Sequence, residues 1–200
     1  MKIIRYVVAL ILLGSPVGAA AEEVVAPDVW MPQGQVDWGL SASFGVSHGS
    51  SAPRRTLGSM AVTVNRVLTD PVGPGFLRGR MAVSVELIPL FLLSETSTTY
   101  GAGFNLLGRH YLDTRGSVRP FITIGAGMIL SRDEIPEGSA KVNFTPQAGI
   151  GLRWKMSSGR IFSVEYRFQH ISNGGRVKPN PGINSSVVHL GFSFSRTHAE

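Results

Sequence analysis

An eight-stranded antiparallel β-barrel of the bacterial outer membrane is the fold this sequence predicts, and three observations predict it. Eight stretches of about ten residues alternate between an apolar and a polar or small side chain, the period of a strand with one greasy face. Only 16% of residues are charged, too few for the surface of a soluble sandwich of the same pattern. Cysteine is absent, so an exported chain of this size must be stabilised without disulfides, and closure of the sheet is the available means.

Export is read from the N-terminus. Lys2 and Arg5 precede an apolar run from Val7 to Leu13, and Ala19, Ala20 and Ala21 form a small-residue cleavage site. This is the pattern of a signal peptide over residues 1–21. The run is too short for a membrane-spanning helix. Residues 22–200 then form one domain, whose formal charge is +4 once Lys2 and Arg5 leave the +6 of the whole chain. That mild balance, with no basic stripe interleaved with aromatics, excludes a nucleic-acid partner. The absence of cysteine excludes thiolate zinc sites and a thiol nucleophile.

The segments follow in order, each with its apolar face. Segment one, Trp38 to Ser47, shows Trp38, Leu40, Ala42, Phe44 and Val46; segment two, Met60 to Leu68, shows Met60, Val62 and Val64 and blurs after Arg66. Segment three, Met81 to Leu87, shows Met81, Val83, Val85 and Leu87; segment four, Tyr100 to Arg109, shows Tyr100, Ala102, Phe104 and Leu106. Segment five, Phe121 to Leu130, shows Ile122, Ile124, Ala126, Met128 and Leu130; segment six, Val142 to Trp154, shows Val142, Phe144, Ala148, Ile150, Leu152 and Trp154. Segment seven, Phe162 to Ser172, shows Phe162, Val164, Tyr166 and Phe168; segment eight, Ser186 to Ser195, shows Val188, Leu190, Phe192 and Phe194. Strands of this length cross the hydrocarbon layer, and the even count suits a bacterial barrel.

With both ends in the periplasm, the turn-rich stretches after Thr69, Asp113 and Met156 are inner turns. The outer loops are Ser50 to Arg55, Ser94 to Thr98, Ser131 to Ala140 and Asn173 to Ile183. A barrel of eight strands is filled by side chains rather than hollow. Glu86, Arg153, Glu165, Arg167 and Gln169 are the expected filling.

One constellation breaks the apolar face. His170 and Ser172 share the face of Phe162 to Phe168, and Asn184 shares the face of Val188 to Phe194 on the next strand. The three therefore lie side by side at the outer lip, toward lipid. A serine hydroxyl needs a neighbouring base to become nucleophilic. His170 is that candidate base, Ser172 the candidate nucleophile, and Asn184 the group that orients the imidazole. Asn173 and the amides of Gly174 and Gly175 are candidate oxyanion donors. The other reading of the pair is a rim histidine and serine among headgroups, where polar residues cost little. His48, His110, His189 and His198 take that plain reading as rim, lumen or tail residues.

At Tyr166-Arg167-Phe168-Gln169-His170-Ile171-Ser172-Asn173 and Asn180-Pro181-Gly182-Ile183 the chain resembles the lipid A 3-O-deacylase family (PagL type). The resemblance implies an esterase that removes the 3-position acyl chain of lipid A, without a metal or other cofactor, through a serine–histidine–glutamate triad. His170 and Ser172 match the base and nucleophile, and Asn184 stands where the family has glutamate. The asparagine is similar to that of outer-membrane phospholipase A, a larger calcium-dependent barrel, so a phospholipase is the alternative. A structural barrel without activity is the third reading. Lipid A and the surrounding lipid are the expected partners. Arg176 and Lys178 are candidates for its phosphates or are simply solvated, and a homodimer stays open.

Overall fold

The computed structural model describes residues 31–49, 54–114, 116–156 and 159–196. The signal peptide expected over residues 1–21, His198 and parts of three of the expected loops and turns lie outside these residues. Nine strand elements form one antiparallel sheet: β1 (Val36–His48), β2 (Thr56–Val67), β3 (Gly79–Ser94), β4 (Thr98–Leu112), β5 (Val118–Ile135), β6 (Ala140–Phe144), β7 (Gln147–Lys155), β8 (Arg160–Ile171) and β9 (Ile183–Arg196). The order β4-β3-β2-β1-β9-β8-β7-β5 closes through β4–β5 pairing. Elements β6 and β7 are two parts of one stave, because both pair with β5 in a single register, Met128 opposite Phe144 and Gly125 opposite Gln147. The barrel therefore has the eight staves expected.

Three local differences from the alternation have physical causes. Segment six is interrupted at Pro146, which has no N–H to give the ladder. Segment three runs on to Ser94, beyond Leu87, through a bulge between Ile88 and Phe91. The extra residue flips the parity, so that Phe91 and Leu93 enter the lumen while Leu90 and Leu92 face out. Segment five continues to Ile135, past its last lipid-facing residue Leu130, because a strand standing clear of the hydrocarbon needs no greasy face.

Alternation sorts the side chains to two environments. Outward residues such as Ile124 and Ile150 are 69% and 65% exposed and form the lipid belt. Trp154 and Phe162 pack together on the inner half of that belt, as do Phe192 and Phe194. Inward residues are stacked in layers. Leu57, Ile88, Phe91, Leu93, Ile129, Ile171 and Ile183 make an apolar layer toward the outer end, and Met31, Val67, Ala82, Tyr111, Phe121 and Ile161 another toward the inner end.

A charged plug lies between them. Arg167 donates to both carboxylate oxygens of Glu86 at 2.8 and 2.6 Å and to Glu165 at 2.7 Å. Arg109 joins the same two carboxylates at 3.2 and 3.1 Å. Asn105 donates to Glu86, Gln147 accepts from Arg167, and Arg153 pairs with Asp37. The remaining cavity among these groups is about 30 Å³, room for about one water. The plug fixes the staves that carry the outer lip.

Candidate functional site

The outer ends of β8, β9 and β1 lie next to one another because the last strand returns to pair with the first. Ile171, Asn173, Ile183 and Ser185 are buried inward, with 0%, 0%, 2% and 0% exposure. Their neighbours His170, Ser172 and Asn184 must then face outward. The ladder sets His170 opposite Asn184 and Asn184 opposite His48, a row of three polar side chains on the lipid side of the wall.

The structure brings His170 and Asn184 into direct contact. The imidazole Nδ1–H donates to Asn184 Oδ1 at 2.6 Å. This fixes the tautomer that leaves Nε2 with its lone pair, the state a general base requires. Gly182 closes the other side of the ring. Its φ is +66°, and a Cβ there would fall 2.6 Å from Cε1 and 3.1 Å from Nε2 of His170. A glycine is needed here both for the left-handed backbone and for the space. Gly182→Ala is expected to tilt the imidazole off Asn184, and any hydrolysis that relies on this pair is expected to fall about tenfold or more in kcat with KM little changed in steady-state kinetics.

Ser172 follows two residues along the same face, half-buried. Its backbone exchanges hydrogen bonds with Phe144, at 2.7 and 3.1 Å, and the His170 N–H donates to the Pro146 carbonyl at 2.9 Å. The tip of β8 is thus tied to the interrupted stave. Among the described residues no side chain engages the Ser172 hydroxyl.

Two expectations are corrected by geometry. Asn173 does not join the site. Its side chain points into the outer end of the barrel, where its amide donates to Ser139 Oγ and the Val177 carbonyl, both at 2.9 Å. Its backbone N–H is taken by Asn180 Oδ1 at 3.1 Å. Arg176 is folded back as a brace, with its guanidinium 4.8 Å over the Phe144 ring and donating to the Val142 and Asn173 carbonyls. Gly174 and Gly175 follow Ser172 closely with φ of +68° and +78°, and Lys178 is exposed in the same loop.

Sequence reasoning missed three neighbours. His48, read as an ordinary rim histidine, stands beside Asn184 through the β1–β9 closure. Ser186 lies one row deeper, bonded to His48 Nε2 at 2.7 Å and to the Tyr166 hydroxyl at 2.6 Å. The parity of Ser186 with Val188 was the available signal, but the arrival of His48 depends on pairing across most of the chain.

The lipid A 3-O-deacylase (PagL) family profile matches residues 38–193. Among solved structures, the outer membrane enzyme PagL is similar over 76% of this chain and 97% of its own, at 19% identity and a TM-score of 0.55. Neisserial surface protein A matches over 80% and 96% of the two chains, at 13% identity and 0.54. Ail, the attachment invasion locus protein of Yersinia pestis, matches over 82% and 100%, at 7% identity and 0.55. At these identities the likenesses concern the fold. No curated protein sequence matches the chain.

Proposed function

The chain belongs to the lipid A 3-O-deacylase (PagL) family of the bacterial outer membrane, and from that premise we propose that it hydrolyses the 3-O-linked acyl ester of lipid A with Ser172 as nucleophile. The observation that carries the reading is the 2.6 Å bond from His170 to Asn184, on the outward face and two residues from a serine. A base held in one tautomer by a neighbouring acceptor is the arrangement that activates a hydroxyl. Its position on the lipid side gives access to an acyl chain without removing the substrate from the leaflet.

In the proposed reaction Ser172 Oγ attacks the ester carbonyl as His170 Nε2 takes its proton. The amides of Gly174 and Gly175 hold the oxyanion. Collapse of the tetrahedral adduct expels the sugar hydroxyl, which receives the proton from His170. Water, deprotonated by the same nitrogen, then cleaves the acyl-serine and frees the fatty acid. Asn184 orients the ring but brings no negative charge to stabilise the imidazolium. Lys178 is the loop cation we assign to a lipid A phosphate.

The test is purified barrel mixed with lipid A vesicles, with the released fatty acid identified by mass. Release of the 3-linked chain is expected, and no release, or release of another chain only, would refute the assignment. The same release is expected to survive EDTA; its loss, with calcium restoring cleavage of phosphatidylethanolamine, would favour the phospholipase reading. Asn184→Glu is expected to keep activity within about tenfold, since a carboxylate accepts from Nδ1 equally well. Complete loss in that variant would contradict the orienting role.

A further inference from the structure

We propose that Ser186, His48 and Tyr166 form a second serine-nucleophile centre on the lipid-facing wall, reactive toward acyl esters of outer-leaflet lipids. The arrangement is already assembled. Ser186 Oγ lies 2.7 Å from His48 Nε2, a nucleophile–base hydrogen bond, and 2.6 Å from the Tyr166 hydroxyl. With the phenol donating to Ser186 and Ser186 donating to the neutral imidazole, the three make a linear proton chain. The His48 ring is held by Phe168, parallel within 5° at a centroid distance of 6.4 Å.

Placement argues for use rather than for packing alone. Ser186 pairs in register with Val46 and Phe168, one row inward from Asn184, about 7 Å along the strand. Val188, Leu190 and Phe192 follow it on the same face and belong to the lipid belt. Polar groups on that belt cost free energy and mark function when they are grouped. Tyr166 is 45% exposed, and His48 is exposed as well, so the cluster is open to the leaflet and not covered by the barrel.

The chemistry balances with water as co-reactant. Ser186 Oγ bonds to the ester carbonyl carbon while its proton passes to His48 Nε2. The Tyr166 hydroxyl, adjacent to the point of attack, donates to the oxyanion. The carbon–oxygen bond to the lipid alcohol breaks, and that alcohol takes the proton from His48. Water then attacks the acyl-serine, leaves its proton on His48 and releases the fatty acid, and His48 returns the proton to Ser186.

The centre is independent of Ser172, and one experiment separates the two. Full-length barrel in vesicles is treated with a long-chain alkyl fluorophosphonate, and the modified serine is located by peptide mass mapping. In Ser172→Ala the adduct is expected on Ser186, and His48→Phe added to that variant is expected to cut it at least tenfold. The same Ser172→Ala protein is expected to release fatty acid slowly from vesicles of either lipid A or phosphatidylethanolamine, which names the source, and to lose that release when Ser186→Ala is added. Absence of a Ser186 adduct in both wild type and Ser172→Ala, with the barrel folded, would overturn the proposal; so would an adduct with no release from either vesicle. A missing adduct on Ser172 in wild type would instead count against the deacylase assignment and leave this one standing.

Discussion

Ser172→Ala is expected to lower release of the 3-linked acyl chain of lipid A by at least about 10³-fold while the barrel folds and inserts normally. The size follows from the role: removing the nucleophile abolishes the covalent route at this centre and leaves what binding and oxyanion donors supply, together with the slow release expected of Ser186. Normal folding follows from position. Ser172 holds its place through backbone hydrogen bonds to Phe144, and alanine preserves these. Its side chain is half-buried on the outward face, so little packing is lost. The check is fatty acid release under single-turnover conditions beside the gel mobility of unheated protein. A variant as active as wild type would remove Ser172 from the reaction.

Glu86→Ala is expected to have the largest effect on stability, about 3–5 kcal/mol, because it strands buried guanidinium charge. Glu86 is 2% exposed and accepts from Arg167, Arg109 and Asn105. Without it, Arg167 and Arg109 share the one carboxylate of Glu165. The double variant Glu86→Leu with Arg167→Met is expected to recover much of the loss, since the Arg109–Glu165 pair at 3.1 Å remains balanced. Urea unfolding in vesicles of Glu86→Leu, Arg167→Met and their double, read as a double-mutant cycle beside Glu86→Ala, checks this. Additive losses would show that the plug does not act as a unit.

How far the sequence discloses this molecule depends on the range of the interaction concerned. Parity is local, so the outward placement of His170, Ser172 and Asn184, and the inward placement of Glu86, Glu165 and Arg167, are legible from alternation alone. The bulge after Ile88 is not, because Leu87-Ile-Pro-Leu-Phe-Leu-Leu93 is apolar on both faces and gives no parity to read. The interruption at Pro146 was signalled by the missing N–H, but the surrounding alternation concealed it. The side-chain roles of the last outer loop were illegible for another reason. Asn173 and Arg176 look available in sequence, yet each is consumed by carbonyls and a hydroxyl of neighbouring elements. The pairing of His48 with Ser186 spans 138 positions, beyond any local pattern.

In the reading proposed for this site, Asn184 takes the place that the resemblance gives to a glutamate. Its contact with His170 is short and correctly directed, so orientation is kept while charge compensation is not. That predicts an enzyme slower than one with a carboxylate, not an inactive one.

The claim on which the account rests is that this wall removes an acyl chain from lipid A. Mass spectrometry of lipid A from cells expressing wild type, or Ser172→Ala, beside cells with neither, tests it most directly. The account predicts that wild type lowers the mass by one 3-linked hydroxyacyl group and that Ser172→Ala leaves nearly all of the lipid A intact. Unchanged lipid A in cells whose outer membranes contain folded wild-type barrel would contradict it.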